Sequence, residues 1–395
     1  MNPIGWLERE VVVCVGTGGV GKTTVSAALA LEAARRGRRA LVLTIDPARR
    51  LADALGTGPL GHDERELPRE VLEQVGVHAP GRLSAMMLDT KRTFDDLVER
   101  YAPDAVARDL ILHNPIYRNL TDALVGSREY SAMERLHQIH SSGRYDLIVV
   151  DTPPARHALD FLDAPRRLTG FLDSPLLKRL FHPAAIVGRT SFRLFRRGSE
   201  GVLRLIERVS GLEFLRSISE FLLAFESLMG GFAERAHEVE ALLRSSRVGF
   251  VLVAGANPDQ ARRAAEFWSR LSRERIDLVG AVVNRVRTWP GPQLPTLPTQ
   301  SEEREALEWL EDRLRRGREA RGVLDTLLAQ IALARRDREH LEALARALPL
   351  EREALRPVPL LSEDIHAIDA LASLGRRVAE VEWEILPLGK PGWFW

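Results

Sequence analysis

The sequence has a single cysteine, Cys14, among its 395 residues. One thiol excludes an intramolecular disulfide and any metal site that needs several cysteines from one chain. The first ten residues also lack the basic region and the apolar core of a secretory signal. We therefore expect a cytoplasmic protein in a reducing environment.

Long hydrophobic runs and an excess of one charge are missing as well. The longest apolar stretch, FLLAFESLMGGF from Phe221, is interrupted by Glu226 and is shorter than the roughly 20 residues that span a bilayer. The formal net charge of +1 indicates no general attraction to nucleic acid. We expect no nucleic-acid partner, while the stretch RTSFRLFRR from Arg189 leaves peripheral contact with a membrane open.

Short apolar runs rich in β-branched residues alternate with longer helical patterns. This alternation is typical of parallel strands joined by helices that cover both faces of a sheet. Right-handed crossovers make such a sheet doubly wound. We predict an α/β fold with a doubly wound, mainly parallel sheet. The predicted strands cover residues 11–15, 40–45, 84–88, 146–151, 248–254, 278–284 and 358–361.

The alternation stops over more than eighty residues in the middle of the chain. Apolar residues there recur at helical spacing, so we predict a helical insert subdomain at residues 164–246. The α/β core then comprises residues 1–163 and 247–381. A proline-rich link from Thr288 to Gln300 precedes two charged helices, predicted at about 302–318 and 324–347. Residues 382–395 form a predicted aromatic tail that ends in WFW.

A glycine-rich stretch, VGTGGVGKTT, follows the first predicted strand and leads into a helical pattern. Gly16, Gly21, Lys22 and Thr23 satisfy the P-loop pattern GxxxxGK[ST]. In such a loop successive backbone N–H groups face phosphate oxygens, the lysine reaches the β and γ phosphates, and the threonine hydroxyl ligates Mg²⁺. The flanking strand and helix disfavour a chance turn. We predict a P-loop NTPase in which the nucleotide is bound by Gly16, Thr17, Gly18, Gly19, Val20, Gly21, Lys22, Thr23 and Thr24.

Two other predicted strands end in aspartate. DLIVVDTPP ends its apolar run in Asp151, and RALVLTID ends in Asp46. A P-loop enzyme needs a carboxylate at a neighbouring strand end to hold the metal and its water shell. We predict that Thr23, Asp46 and Asp151 form the Mg²⁺ site, with the aspartates acting mainly through water. Capping of the next helix is the alternative reading of Asp46.

Five motifs, in order, make this sequence similar to one family. GTGGVGKTT, TIDPARRLADALG, VVDTPPARHALDFLDAP, AVVNRV and PLLSEDIHAIDAL resemble the motifs of the anion-transporting ATPase family. That family includes the arsenite pump ATPase and the ATPase that targets tail-anchored membrane proteins, and its wider class includes MinD, ParA and the nitrogenase iron protein. The resemblance covers about residues 10–374. It implies an ATPase that binds ATP and Mg²⁺ and forms a homodimer, or a heterodimer with a paralogue.

The resemblance also implies roles for individual residues at the phosphate end of the site. Asp46, Lys22 and Asp151 are the implied catalytic residues. Lys22 holds phosphate, Asp46 orients or activates the attacking water, and Asp151 acts through the water shell of the metal. The loop from Thr152 to His157 is expected to move between nucleotide states.

The adenine end of the site is implied by two late motifs. Asn284, which ends a predicted strand, resembles the family's adenine-reading asparagine. Pro359 and Leu360 are then expected to flank the base. An ordinary strand-terminating turn residue remains the alternative for Asn284.

Thr17 departs from the family pattern. The usual loop, GKGGVGKTT, carries a second lysine at this position, which reaches across a dimer to the partner's nucleotide. Threonine supplies no such charge, so hydrolysis is slow, another cation substitutes, or a different subunit provides the lysine. Arg49 and Arg50, which follow the first switch aspartate, are candidate substitutes, and two solvated residues at a helix start are the alternative.

The predicted function is a dimeric ATPase whose nucleotide state moves the helical insert, with a hydrophobic protein or a membrane as client. Arsenite and a shared zinc ion both favour clustered thiolates, so a lone cysteine predicts neither ligand. One alternative is an ATP-dependent switch or heterodimer subunit with little hydrolysis, because of Thr17. A positioning ATPase similar to MinD or ParA is a further alternative.

Overall fold

The computed structural model describes residues 5–46, 48, 50–114, 117, 127–153, 234–289, 293–314, 317–361, 365 and 367–380. In these ranges eight strands form one sheet. In chain order they are β1 Val11–Val15, β2 Arg39–Thr44, β3 Arg65–Glu66, β4 Arg82–Met87, β5 Leu147–Asp151, β6 Val248–Gly255, β7 Leu278–Val286 and β8 Leu355–Pro359.

The order across the sheet is β3-β4-β2-β5-β1-β6-β7-β8. Every neighbouring pair is parallel except β3 and β4, which are antiparallel. The strand that precedes the glycine-rich loop, β1, lies between β5 and β6. The prediction of an α/β fold with a mainly parallel sheet is therefore confirmed.

Helices join the strands and cover the sheet. They are α1 Lys22–Arg35, α2 Arg50–Leu55, α3 Arg69–Gln74, α4 Thr90–Tyr101, α5 Ala105–Leu112, α6 Ser127–Ser141, α7 at residues 234–243, α8 Pro258–Arg273, α9 Gln300–Leu314, α10 Gly317–Ala347 and α11 Ile368–Glu380.

Alternate residues of β1 enter two separate hydrophobic cores. Val11, Val13 and Val15 pack with residues of α4, α6, α8 and α10 on one face, while Val12 and Cys14 pack with α1 and α11 on the other. All five side chains of β1 are buried, which explains why this strand reads as a continuous apolar run. The burial of both faces is the arrangement that a doubly wound sheet requires.

Strand β8 begins three residues earlier than predicted, at Leu355 instead of Val358. The run contains Pro357 and Pro359, and proline is tolerated in strands mainly at sheet edges. β8 is such an edge, with β7 as its neighbour. The two-residue strand β3, at the opposite edge, has no apolar pattern and was not predicted.

Most of the predicted insert, residues 164–246, lies outside the described residues, as does the tail at 382–395. The described part of the insert begins with helix α7, which leads into β6. Arg235 of this helix lies 3.3 Å from the buried carboxylate of Glu134 in α6, and its guanidinium lies over the ring of Tyr101. The division into core, insert and tail stays a prediction. None of the helices in the described ranges combines the length and the apolarity that a bilayer crossing requires.

Candidate functional site

The glycine-rich loop connects β1 to α1 at the carboxyl edge of the sheet. Gly19 and Gly21 have φ values of 78° and 90°, in the left-handed region that favours glycine. A Cβ on Gly21 would also collide with the amide of Asn284, and one on Gly16 would collide with the carbonyl oxygen of Val253. The loop therefore has the backbone geometry and the close approach that only glycine permits.

Lys22 opens α1 directly beneath this loop. Its side chain is largely buried, and Nζ donates a hydrogen bond to the carbonyl oxygen of Thr17 at 3.0 Å. Burial lowers the pKa of the Lys22 ammonium, while the charges of Asp151 and Asp46 act in the opposite direction. The loop thus curls around a preformed cation, as phosphate binding requires.

Asp151 ends β5 and is fully buried. Its Oδ2 accepts hydrogen bonds from the hydroxyls of Thr23 at 2.8 Å and Thr44 at 2.9 Å. Its Oδ1 has no hydrogen-bond partner among the described residues. Burial raises the pKa of Asp151 to about 6, against the opposing effect of the two threonine hydroxyls and of Lys22. An unpartnered carboxylate oxygen beside a threonine hydroxyl is a donor set that suits Mg²⁺.

Asp46 lies just beyond the end of β2, higher in the same site. Its backbone N–H donates to Thr44 Oγ1 at 3.2 Å, and its Oδ1 accepts from the backbone N–H of Ala48 at 3.0 Å. Its Oδ2 lies 3.6 Å from Nη1 of Arg50, at the start of α2. The carboxylate is one quarter exposed, so it faces the open side of the site. Arg50 thus contacts the predicted water-orienting residue, while Arg49 lies outside the described residues.

Asn284 and β8 form the opposite side of the site. The Nδ2 of Asn284 donates to the carbonyl oxygen of Val20 at 2.9 Å, and its Oδ1 accepts from the backbone N–H of Arg285 at 3.0 Å. Asn284 therefore supports the glycine-rich loop as well as facing the cavity. Pro359 and Leu360 follow at the end of β8, where the Leu360 N–H donates to the carbonyl oxygen of Val286.

A cavity of about 380 Å³ lies between these elements. The structure places ten of the predicted residues in its lining, together with Arg50, Asp53, Ala54, Thr152, Arg285, Leu361, Ile365 and Leu374. The ten are Gly18, Gly19, Gly21, Lys22, Thr23, Thr24, Asp46, Asn284, Pro359 and Leu360. Asp151 lies beneath the cavity instead of lining it, and Gly16 is on its far side against β6.

Thr17 and Val20 line a second cavity, of about 390 Å³, on the other side of the loop. There the Thr17 hydroxyl accepts a hydrogen bond from Nε2 of Gln260, in α8, at 3.0 Å. The side chain at position 17 is thus directed towards α8, while the phosphate side of the loop is formed by Gly18 to Thr24. The predicted contact of Thr17 with the nucleotide stays a prediction.

Three side chains that make hydrogen bonds at the site were not predicted as site residues from the sequence. Thr44 bonds to Asp151, Gln260 bonds to Thr17, and Arg285 lines both cavities with Nη1 at 3.4 Å from the carbonyl oxygen of Gly19. Thr44 precedes Asp46 at a strand end, which is a usable local signal. Gln260 and Arg285 lie in distant parts of the chain, and no local pattern marks them. Residues 154–157 of the predicted moving loop, including His157, lie outside the described residues.

Comparison with known proteins agrees with this geometry. The family model described as "Anion-transporting ATPase" matches residues 9–222, which is more than half of the chain. The chain belongs to the anion-transporting ATPase family. The resemblance of this sequence to the family, inferred from five motifs, is thereby confirmed.

Three relatives illustrate the similarity of this chain to other proteins. The ATPase GET3 of Malassezia globosa is 27% identical over 271 residues, which cover 67% of this chain and 66% of that protein. The ATPase get3 of Schizosaccharomyces pombe is 31% identical over 153 residues, covering 38% and 41%. A protein of Halobacterium salinarum named as an arsenical pump-driving ATPase is 29% identical over 182 residues, covering 45% and 27%. The chain thus spans about two thirds of the first relative and less than half of the other two.

Cys14 lies in the apolar run of β1 just before the glycine-rich loop and has no exposed surface. Burial raises the pKa of its thiol to about 12; the charge of Asp151 acts in the same direction, and a hydrogen bond with Ser26 and the charge of Lys22 act against it. The thiolate is the form that binds soft metals. This position therefore disfavours metal ligation by Cys14.

Proposed function

We propose that this chain binds ATP with Mg²⁺ in the cavity at the carboxyl edge of the sheet and hydrolyses it to ADP and phosphate. The observation that carries the proposal is the arrangement of Asp151. Its carboxylate is buried beneath the glycine-rich loop, bonded to Thr23 and Thr44, with one oxygen left unpartnered among the described residues. Burying a carboxylate without a cation lowers the stability of the fold, and a bound Mg²⁺ would offset this cost for Asp151.

Phosphate binding rests on the loop and on Lys22. Backbone N–H groups at the start of α1 and the positive end of its helix dipole favour an anion at this position. Lys22 lies largely buried next to the cavity and adds a full charge. Thr23 and Asp151 would hold Mg²⁺, which neutralises phosphate charge when it is bound.

Asp46 is the proposed residue for positioning the attacking water. It lines the cavity, and its backbone is fixed through Thr44, the same residue that bonds to Asp151. Thr44 thus links the proposed metal carboxylate to the proposed water-orienting carboxylate. Arg50, with Nη1 at 3.6 Å from Oδ2 of Asp46, contacts this carboxylate from the start of α2 and helps to hold it in place.

The assembly and the client form the outer part of the proposal. We propose a dimer that encloses the nucleotide, and an insert at residues 164–246 that moves with the nucleotide state and binds a hydrophobic protein or membrane client. The insert is joined to the strand that carries Asp151, because β5 ends at that residue and the chain then enters residues 152–163. A change in the position of Asp151 on metal binding can therefore be passed along the chain to the insert. Cys14, buried and alone, argues against arsenite or zinc as the ligand.

A second candidate function is a nucleotide switch with little intrinsic hydrolysis. The hydrogen bond between Thr17 and Gln260 favours it, because it directs the only side chain of the loop's first half away from the phosphate cavity. A cation that stabilises transition-state charge in phosphoryl transfer can be worth about 10³ to 10⁵ in rate. A chain without one would bind ATP and release phosphate slowly.

The test is steady-state ATP hydrolysis as a function of protein concentration, with Asp46→Asn as the variant. The control is Asp63→Asn, which changes an aspartate with a 74% exposed side chain, paired with Arg92 outside the site. A specific rate that rises with concentration and is lost only in Asp46→Asn supports a dimeric ATPase. If all three proteins bind ATP and none of them hydrolyses it, the ATPase proposal is refuted and the switch remains.

A further inference from the structure

Arg285 stands at the mouth of the cavity in a strained backbone conformation. It follows Asn284 near the carboxyl end of β7, and its φ is 60°. A left-handed conformation is unfavourable for a residue other than glycine, and such residues concentrate at functional sites. The Asn284 side chain holds this conformation, because its Oδ1 accepts the Arg285 N–H. The fold therefore maintains Arg285 in one direction at a local cost.

Three basic side chains line the cavity among the described residues, and Arg285 differs from the other two. Lys22 is largely buried and bonded to the loop, and Arg50 lies beside the carboxylate of Asp46. Arg285 is exposed, and within the described residues no carboxylate lies within ion-pair distance of it. Among the described residues its guanidinium is bonded only to the carbonyl oxygen of Gly19, at 3.4 Å, which leaves four of its five donors without a partner in that part of the chain.

The position of Arg285 complements the missing charge at position 17. Thr17 is turned towards Gln260 in the second cavity, and Arg285 lies on the border between that cavity and the first. A guanidinium presents donors in a planar fork that fits two phosphate oxygens. Such a group on the outer side of the loop can approach phosphate oxygens that Lys22, on the inner side, does not reach.

We propose that Arg285 binds the phosphate chain of the nucleotide and supplies the positive charge that Thr17 does not. This inference rests on the proposed ATP site and adds a specific phosphate ligand to it. It separates two roles of neighbouring residues, since Asn284 supports the loop while Arg285 contacts the phosphates. It also requires that the contribution of Arg285 depends on the phosphates and not on the base.

The test compares the binding of AMPPNP and of adenosine, both with Mg²⁺, to the full chain and to Arg285→Gln and Arg285→Lys. Glutamine keeps the Cβ and the backbone strain of arginine, so that the comparison reports the lost charge. The control is Arg82→Gln, which changes an arginine with a 62% exposed side chain at the amino end of β4. Thermal unfolding of each variant without nucleotide checks that the fold is kept.

We expect Arg285→Gln to weaken AMPPNP binding by roughly tenfold or more, as for loss of a charged hydrogen bond, with adenosine binding unchanged. Arg285→Lys should retain most of the affinity, and Arg82→Gln all of it. An equal loss for adenosine would place Arg285 at the base and overturn the inference, as would unchanged AMPPNP binding. If the unaltered chain fails to bind AMPPNP, the proposed ATP site itself is refuted.

Discussion

The buried carboxylate of Asp151 gives the structure a specific dependence on pH. Burial raises its pKa from an ordinary value of 3.8 to about 6, so between these values the folded protein binds more protons than the unfolded chain. Stability must therefore fall as the pH rises through this window. The two pKa values differ by an amount that corresponds to about 3 kcal/mol, of which about 2 kcal/mol falls between pH 4 and pH 7.

Replacing Asp151 by Asn removes the charge and preserves an oxygen that can accept from Thr23 and Thr44. We expect the stability of Asp151→Asn, relative to the unaltered protein, to be about 2 kcal/mol more favourable at pH 7 than at pH 4. With a urea m-value of about 3 kcal/mol/M, the difference between the unfolding midpoints of the variant and the unaltered protein should change by about 0.7 M between pH 4 and pH 7. The assay is urea unfolding without nucleotide at the two pH values.

Asp146→Asn is the matched control for this experiment. Asp146 immediately precedes β5, and hydrogen bonds from Arg39 lower the pKa of its carboxyl. Its stabilising effect is complete above the ordinary pKa of 3.8 and is lost only as the pH falls further, through the lowered pKa, so the relative stability of its variant should change little between pH 4 and pH 7. If Asp151→Asn shows no gain between pH 4 and pH 7, or if Asp146→Asn shows an equal gain, the account of Asp151 as a buried charge that its neighbours compensate only in part is refuted.

Two further substitutions test the contacts around the site and the insert. Thr44→Val removes one hydrogen-bond donor to Asp151, so we expect the pKa of Asp151 to rise further and the free energy of unfolding at pH 7 to fall by about 1–2 kcal/mol. Thr44→Ser keeps the hydroxyl and should stay close to the unaltered protein. Urea unfolding measures both. Arg235→Met removes the arginine that pairs with the buried Glu134 and should lower the free energy of unfolding by about 3–5 kcal/mol in the same measurement. Arg244→Ala breaks partly exposed ion pairs and should lower it by less than about 1 kcal/mol. Equal effects of the two arginine substitutions would contradict the buried pair.

The sequence predicts the site to the extent that its residues occupy strand ends. The glycine-rich loop is local, and Asp46 and Asp151 each follow an apolar run, so a parallel sheet brings them to one edge. Asn284 was predicted as a site residue because one late motif resembles that of the family. The support of the loop by the Asn284 amide was not predictable, since Asn284 and Val20 are 264 residues apart.

Contacts that depend on the exact packing of distant elements could not be predicted. Gln260 meets Thr17 across 243 residues, and Arg285 meets Gly19 across 266 residues. Neither side chain belongs to a pattern, because a helix surface and a strand end accept many polar residues. The positive φ of Arg285 also has no sequence signal, since arginine rarely adopts it.

The connection between β5 and β6, the two strands beside β1, offers a place for protein engineering. The chain leaves β5 at the nucleotide edge and returns through α7 to the amino end of β6, so α7 already serves as the last part of the crossover between them. A parallel crossover needs such a helix and little else. A protein engineer can therefore try to insert another domain into the connection between His157 and α7, keeping both the predicted moving loop and this helix. The register of β5, β1 and β6 is then the feature to check in the product.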